Sequence, residues 1–370
     1  MNRISITGLG LLIAMAVGTS SVMADGSLLT PALLGQDGGG MSGWLEAGWS
    51  YSDDGLGTGT RTHDRGDNEI GVHQIGVDYD NGAGGDSAVG YHVTFVYGSN
   101  GLGGNGNGDD FNLTNANIQW VLPAGVPGLT GAKVTLGRFE SPLGGESIYS
   151  GGDHVTRGLV STKTDPTAHT GILAEKALVS GADGDVVSAR LGLVNSSSGS
   201  SWDNDADDSP SWIVGIDYAG LAGIDLSVNV LHNAGTEDNT LYDIGVSMDV
   251  PGALSDVVSL LGDTSISGHL VFGENDSFGF STGGRYDFGL PVLGDDGSTK
   301  NWYLAVRYDN YDGGSGVGNE WGLTTTLGYQ AADNLTMRIE YRWDRADTGL
   351  GGDDLDDEQT GLNVNLVTSF

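Results

Sequence analysis

The sequence predicts an all-β protein: a transmembrane antiparallel β-barrel of about sixteen strands, with short periplasmic turns and long acidic external loops. Three observations lead there. Apolar and polar residues alternate in segments of about ten through most of the chain. In the clearest segments aromatics sit at both ends of the apolar face, while the other face carries glycine, threonine and ionised groups. Short and long connections alternate along the chain. A soluble sandwich would also bury an apolar face, but nothing in it requires aromatics at the two ends. Tyr and Trp at two headgroup levels around a wet lumen do.

Taken in order, the chain opens on a secretory signal. Arg3 precedes the apolar stretch "ITGLGLLIAMAVG", and Val22-Met23-Ala24 places small residues at a cleavage position. Residues 1–24 are therefore expected to be removed, 25–40 to form a short N-terminal segment, and 41–370 to form the barrel. The early strands are expected at 43–52, 70–79, 88–98, 112–121, 131–139, 170–179, 185–195, 211–219, 223–233, 240–250 and 263–273. Two of them break alternation. Arg138 shares the parity of Val134 and Leu136, and Lys176 that of Ile172 and Ala174. A bulge or a contact with another subunit would account for either.

The last five strands are the clearest. "FGFSTGGRYDF" (278–288), "WYLAVRY" (302–308), "WGLTTTLGY" (321–329) and "LTMRIEYRW" (335–343) each put aromatic and aliphatic residues on one parity. Residues 360–370 end the chain with Leu362, Val364, Leu366 and Phe370 on one face. A terminal strand that closes the sheet leaves no unpaired edge in lipid. Most long connections follow odd-numbered strands and most short ones even-numbered strands, as expected of external loops and periplasmic turns; the 9–10 and 11–12 connections are short, and the 10–11 turn is long enough for a small helix.

Composition narrows the function. The chain has 65 glycines, 8 prolines and no cysteine, so neither collagen nor a disulfide scaffold fits. A formal charge of −34 argues against nucleic-acid binding. "GLGGNG" (101–106) matches a dinucleotide fingerprint but lies in no βαβ unit, the histidines show no metal-ligand spacing, and no G-x-S-x-G is present. No catalytic residue is assigned.

Several stretches resemble a known family. "VTLGRFESPLGGE" (134–146) resembles a strand and loop in which Gly-[Arg/Lys]-Phe leads to a Pro-[Leu/Phe]-Gly turn and then Glu. "HTGILAEKAL" (169–178), "GLVNSSSGSSWDNDAD" (192–207) and "MRIEYRWDRAD" (337–347) follow in the same order, the third carrying a serine-glycine insertion. These are similar to Gram-negative outer-membrane porins, and most of all to the β-barrel porin-2 (OmpL-like) family. The resemblance implies passive diffusion of small solutes and ions, and a C-terminal segment (here Tyr341, Leu366 and Phe370) read by the barrel assembly machinery. It also implies an outer membrane with lipopolysaccharide around the barrel, and allows a homotrimer.

Selectivity in such a channel is set at a constriction. Segment 140–169 is the longest loop and carries Glu140, Glu146, Asp153 and Arg157. The expected lumen face of later strands carries Arg285, Arg307, Arg338 and Arg342. The acidic loop is expected to face this arginine wall across the narrowest point; the alternative is local pairing of the arginines with Asp287, Asp309, Glu340 and Asp344. The acidic runs Asp203, Asp205, Asp207 and Asp353, Asp354, Asp356 are candidate Ca²⁺ ligands or bridges to anionic lipid, with plain solvated loops as the competing reading. A barrel whose acidic loops serve a structural or surface-adhesion role is the alternative function.

Overall fold

The computed structural model describes residues 40–52, 69–83, 88–98, 110–149, 152–181, 184–195, 210–221, 223–233, 239–250, 264–273, 276–290, 301–314, 318–346 and 357–370. The expected signal segment and the two candidate calcium clusters lie outside these residues.

Sixteen strands form one closed barrel in which each is hydrogen-bonded to its chain neighbours, antiparallel throughout. They are β1 (Gly40–Ser52), β2 (Glu69–Asn81), β3 (Val89–Gly98), β4 (Asp110–Val121), β5 (Lys133–Glu140), β6 (Ala168–Gly181), β7 (Gly184–Val194) and β8 (Ser211–Leu221). There follow β9 (Ile224–Asn233), β10 (Asn239–Asp249), β11 (Thr264–Phe272), β12 (Phe278–Phe288), β13 (Trp302–Asp312), β14 (Asn319–Ala332), β15 (Leu335–Ala346) and β16 (Asp357–Ser369). A short helix, α1 (Leu159–Thr164), lies in the connection from β5 to β6. Each expected strand overlaps one of these.

Burial runs opposite to that of a soluble protein. Along β15, Met337, Ile339 and Tyr341 are 44%, 51% and 52% exposed, while Arg338, Glu340 and Arg342 between them are at 1%, 0% and 0%. A chain folded in water would invert this pattern. Here the apolar parity faces lipid and the ionised parity faces the lumen, which excludes the sandwich alternative.

Closure is made at the last residue. Phe370 N–H donates to Gly43 O (3.0 Å) and Gly43 N–H to Phe370 O (2.9 Å), extending the β1–β16 ladder to the end of the chain. The Phe370 ring lies over the Gly43 Cα, in space any side chain there would fill. The Trp44 ring over Gly76 and the Tyr303 ring over Gly328 repeat this aromatic cover of a strand glycine.

The two parity breaks have separate causes. Gly137 sits at φ 125, and a Cβ there would strike the Ala116 carbonyl oxygen. Alternation slips at that glycine, so that Arg138 and Phe139 are buried in succession, and Arg138 Nε donates to Leu113 O at 2.9 Å. Lys176 keeps its place in the pattern; its Nζ donates to Gly128 O (2.5 Å) in the β4–β5 turn, so the charge reaches the rim while the stem stays on the barrel surface. Neither break needs a second subunit.

Candidate functional site

The connection from β5 to β6 runs into the lumen and crosses it. Its root is held by an apolar seat on lumen-facing positions, where Leu143 packs with Phe139, Leu173, Val194, Ile213 and Leu231. Further on, Ile148 meets Val96. Tyr149 packs on Trp44 (5.0 Å between ring centroids), donates to Thr114 Oγ1 (2.9 Å) and accepts from Asn115 Nδ2 (2.9 Å). Burial raises the Tyr149 phenol above its ordinary pKa, so this anchor stays neutral. In α1, Val160 is buried against Gly279 of β12, where a larger residue would not fit.

Beyond Tyr149 the loop meets the β12–β15 wall through charge. Arg285 Nη1 donates to Asp153 Oδ1 at 2.6 Å, and its Nη2 to Asp287 Oδ1 at 2.7 Å. Arg307 Nη1 donates to Glu146 Oε1 at 2.5 Å, its Nε to Asp309 Oδ2 at 3.1 Å and its Nη2 to Thr156 O at 3.1 Å. Each arginine is thus gripped between a carboxylate two residues along its own strand and one from the loop. The expected separation of acidic loop from arginine wall is replaced by direct contact, and local pairing exists beside it. Charges paired this closely project less field across the opening than two separated rows would.

The loop tip is tied by backbone groups. Glu340 Oε2 accepts from Val155 N (2.6 Å), and Glu340 Oε1 from Thr156 N (3.1 Å) and Thr156 Oγ1 (2.8 Å). Thr326 Oγ1 (3.2 Å) and Asn363 Nδ2 (3.3 Å) fill the rest of this carboxylate. Arg338 Nη1 donates to Gly152 O (2.7 Å) and His154 O (2.8 Å), while its Nη2 meets Glu46 Oε1 at 3.0 Å. Asn365 also donates to Glu46. Glu340 and Arg338 of β15, braced by Glu46 of β1 and Asn363 of β16, therefore satisfy a turn that would otherwise hold orphan backbone groups inside the barrel.

A second cluster fastens the loop's return. Asp165 follows α1, Asp243 lies on β10 and His269 on β11, and all three are buried. His269 Nε2 is 2.6 Å from Asp243 Oδ2 and 3.8 Å from Asp165 Oδ1, and Arg157 Nη2 is 3.6 Å from Asp165 Oδ2. Asp243 also accepts from Gly144 N (3.1 Å) and Asn229 Nδ2 (3.0 Å). Burial pushes the Asp165 carboxyl above its ordinary pKa, with Arg157 and His269 acting in the opposite sense.

An opening lies between the loop and the β8–β12 wall, a cavity of about 550 Å³. The wall side is short and hydroxylated: Ser227, Ser247, Ser265, Ser267 and Ser281, with Gly245 and Gly283. The charged lining comprises Glu146, Asp153, Asp217, Asp225, Arg157, Arg285 and Arg307.

Of the eight residues expected at a constriction, the fold brings Glu146, Asp153, Arg285, Arg307 and Arg338 into one contact set. Arg157 pairs within the loop. Glu140 ends β5, its N–H donating to Asn115 Oδ1 (3.0 Å). Arg342 meets Asp344 (2.7 Å) on its own strand. Tyr341, Leu366 and Phe370 sit exposed on the outer face. Sequence reasoning passed over Glu46, His154, Asp165, Asp243 and His269, and named Glu340 only as a local partner for arginine. A buried-parity carboxylate in a lipid-spanning strand was the signal available for Glu46, Asp243 and Glu340.

The family model described as "Putative beta-barrel porin-2, OmpL-like" matches residues 40–370. No curated protein matches the chain. Solved structures do. The outer membrane channel DcaP of Acinetobacter baumannii is 12% identical, with 90% of this chain and 97% of that one covered and a TM-score of 0.57. OprB of Pseudomonas putida is 10% identical over 92% and 96%, with a TM-score of 0.61. OmpT of Vibrio cholerae in trimer form is 12% identical over 90% and 99%, with a TM-score of 0.54. A closed sixteen-stranded barrel, lipid-facing apolar parity and a family match over the whole barrel lead to one conclusion: the chain belongs to the OmpL-like β-barrel porin-2 family and is an outer-membrane β-barrel.

Proposed function

We propose that the barrel is a water-filled channel for passive diffusion of small hydrophilic solutes and ions, and that the loop 140–169 is its constriction. The carrying observation is the loop fixed across the lumen by Glu340, Arg338 and Arg307 beside a hydroxyl-lined opening of about 550 Å³. The family supports a channel in preference to an enzyme, and no catalytic role enters this reading. The opening is acidic in balance. Four carboxylates and three guanidinium groups line it, and those guanidinium groups also meet Asp165, Asp287 and Asp309 behind them. Cations are therefore the favoured ions. Lipopolysaccharide contact, handling by the barrel assembly machinery and a homotrimer belong to the same reading, the last supported by the trimeric OmpT structure. Ca²⁺ held by the acidic external loops also belongs here, and a Ca²⁺-dependent rise in Tm would support it.

Planar-bilayer recording is the test. Stable open steps with a cation-selective reversal potential are expected. Silence of a heat-modifiable, folded barrel would overturn the channel and favour the structural or adhesive role of the acidic loops.

A further inference from the structure

The cluster at the return of the loop has the makings of a metal centre. Asp165, Asp243 and His269 each present one ligand atom, and these atoms lie within 4.8 Å of one another. Atoms bound to one ion at about 2.1 Å each are at most about 4.2 Å apart, so the set needs only small adjustment. The Nε2 to Asp165 distance of 3.8 Å already fits; the Nε2 to Asp243 contact of 2.6 Å must open, as it does when an ion replaces the proton between them.

A further feature points the same way. Asp165 Oδ2 is buried with no hydrogen-bond partner. Inside the buried cluster two carboxylates, Asp165 and Asp243, face one guanidinium, Arg157.

The loop leaves room for these groups. Gly144 is at φ 112 with the Asp165 carboxylate directly over its Cα, and a Cβ on Gly145 would collide with the His269 ring. The glycine pair of the 134–146 stretch thus lets the loop pass beneath the ligands. His269, Gly144, Gly145 and Arg157 also line the open cavity, which supplies an entry path.

We propose that Asp165, Asp243 and His269 bind a borderline divalent transition-metal ion, Zn²⁺ by preference, through one imidazole nitrogen and two carboxylate oxygens, with water completing the coordination. The ion staples the return limb of the loop to β10 and β11. Arg157 stays as the outer partner of Asp165, and Asn229 as that of Asp243.

The test uses the full barrel purified in detergent, with Zn²⁺ as titrant under excess Ca²⁺ to occupy the acidic external loops. One Zn²⁺ per chain is expected, with affinity falling more than about tenfold in His269→Gln and in Asp243→Asn. Co²⁺ in place of Zn²⁺ should give visible ligand-field bands that His269→Gln abolishes. Heat-modifiability on a gel reports whether each variant is folded. If the strand variants fail that check, Asp165→Asn, which alters only the loop, carries the same expectation. Zn²⁺ affinity unchanged in a folded variant, or no uptake above the Ca²⁺-saturated background, would overturn the proposal and leave a proton as the bridging cation. None of these readouts depends on conduction, so they stand apart from the channel reading.

Discussion

The two sides of the lumen wall are built differently. The β12–β15 side carries Arg285, Arg307, Arg338 and Glu340, each bonded to the loop. The β9–β11 side carries Ser227, Ser247, Ser265 and Ser267, and meets the loop through His269 and Asp243. Long charged side chains reach the loop and hold it; short hydroxylated ones stop at the wall and leave water. The position of the passage therefore follows from side-chain length and charge pairing on strands that are otherwise alike.

The largest effect is expected where the held side is broken at a buried arginine gripped by two carboxylates. Arg307→Ala would leave Glu146 and Asp309, both close to the Gly158 Cα, with no cation between them. Removing one member of such a buried set costs about 3–5 kcal/mol. A lower midpoint for loss of heat-modifiability and frequent brief closures in single-channel records are expected. A midpoint matching the unaltered barrel would mean that the loop is not held by charge.

Glu340→Ala comes next. It strips the acceptor from Val155 N, Thr156 N and Thr156 Oγ1, and because a freed tip lets these donors reach lumen water the cost is about 1–3 kcal/mol in all. The tip should swing free and the mean conductance rise. Glu340→Gln keeps an oxygen acceptor and should restore most of the closed-in conductance.

Ser267→Lys tests the open side. It places a cation on a wall of hydroxyls and glycines, facing an acidic opening. Conductance should fall and the reversal potential should shift toward anions, with little change in stability because Ser267 is exposed to the lumen. A reversal potential that does not move would place the ion path elsewhere.

How much of this was legible beforehand follows the same division. Strand parity is written residue by residue, because lipid outside and water inside reward opposite side chains at period two. That is why Met337, Ile339 and Tyr341 could be separated from Arg338, Glu340 and Arg342 before any coordinates. Arg138 and Lys176 were visible only as disturbances; which of them marked a reset of the backbone depended on the positive φ at Gly137 and a reach to Gly128. The meeting of Asp165, Asp243 and His269 was not legible at all. Asp243 and His269 are diagonal neighbours only through the β10–β11 register, in which Gly245 pairs with His269. Asp165 arrives from a loop whose path is set by apolar packing at Leu143 and by ion pairs and hydrogen bonds to partners far along the chain, such as the Arg285–Asp153 pair, 132 residues apart, and the Val155–Glu340 bond, 185 apart. No spacing rule reads contacts of that range.

The finest discrimination lies between two arginines that look equivalent in sequence. Arg338 and Arg342 share a face of β15, and a field set up by an arginine wall would need both. In the fold Arg338 bonds the loop through Gly152 O and His154 O, while Arg342 meets Asp344 and lies beside Gly361. Arg338→Ala should therefore loosen the tip and raise open-channel noise, whereas Arg342→Ala should leave noise and reversal potential close to those of the unaltered barrel. Equal shifts in reversal potential from both would return weight to a wall that acts by its field. A shift from Arg338→Ala alone assigns the arginines to holding the loop, and leaves the sign of selectivity to the carboxylates around the opening.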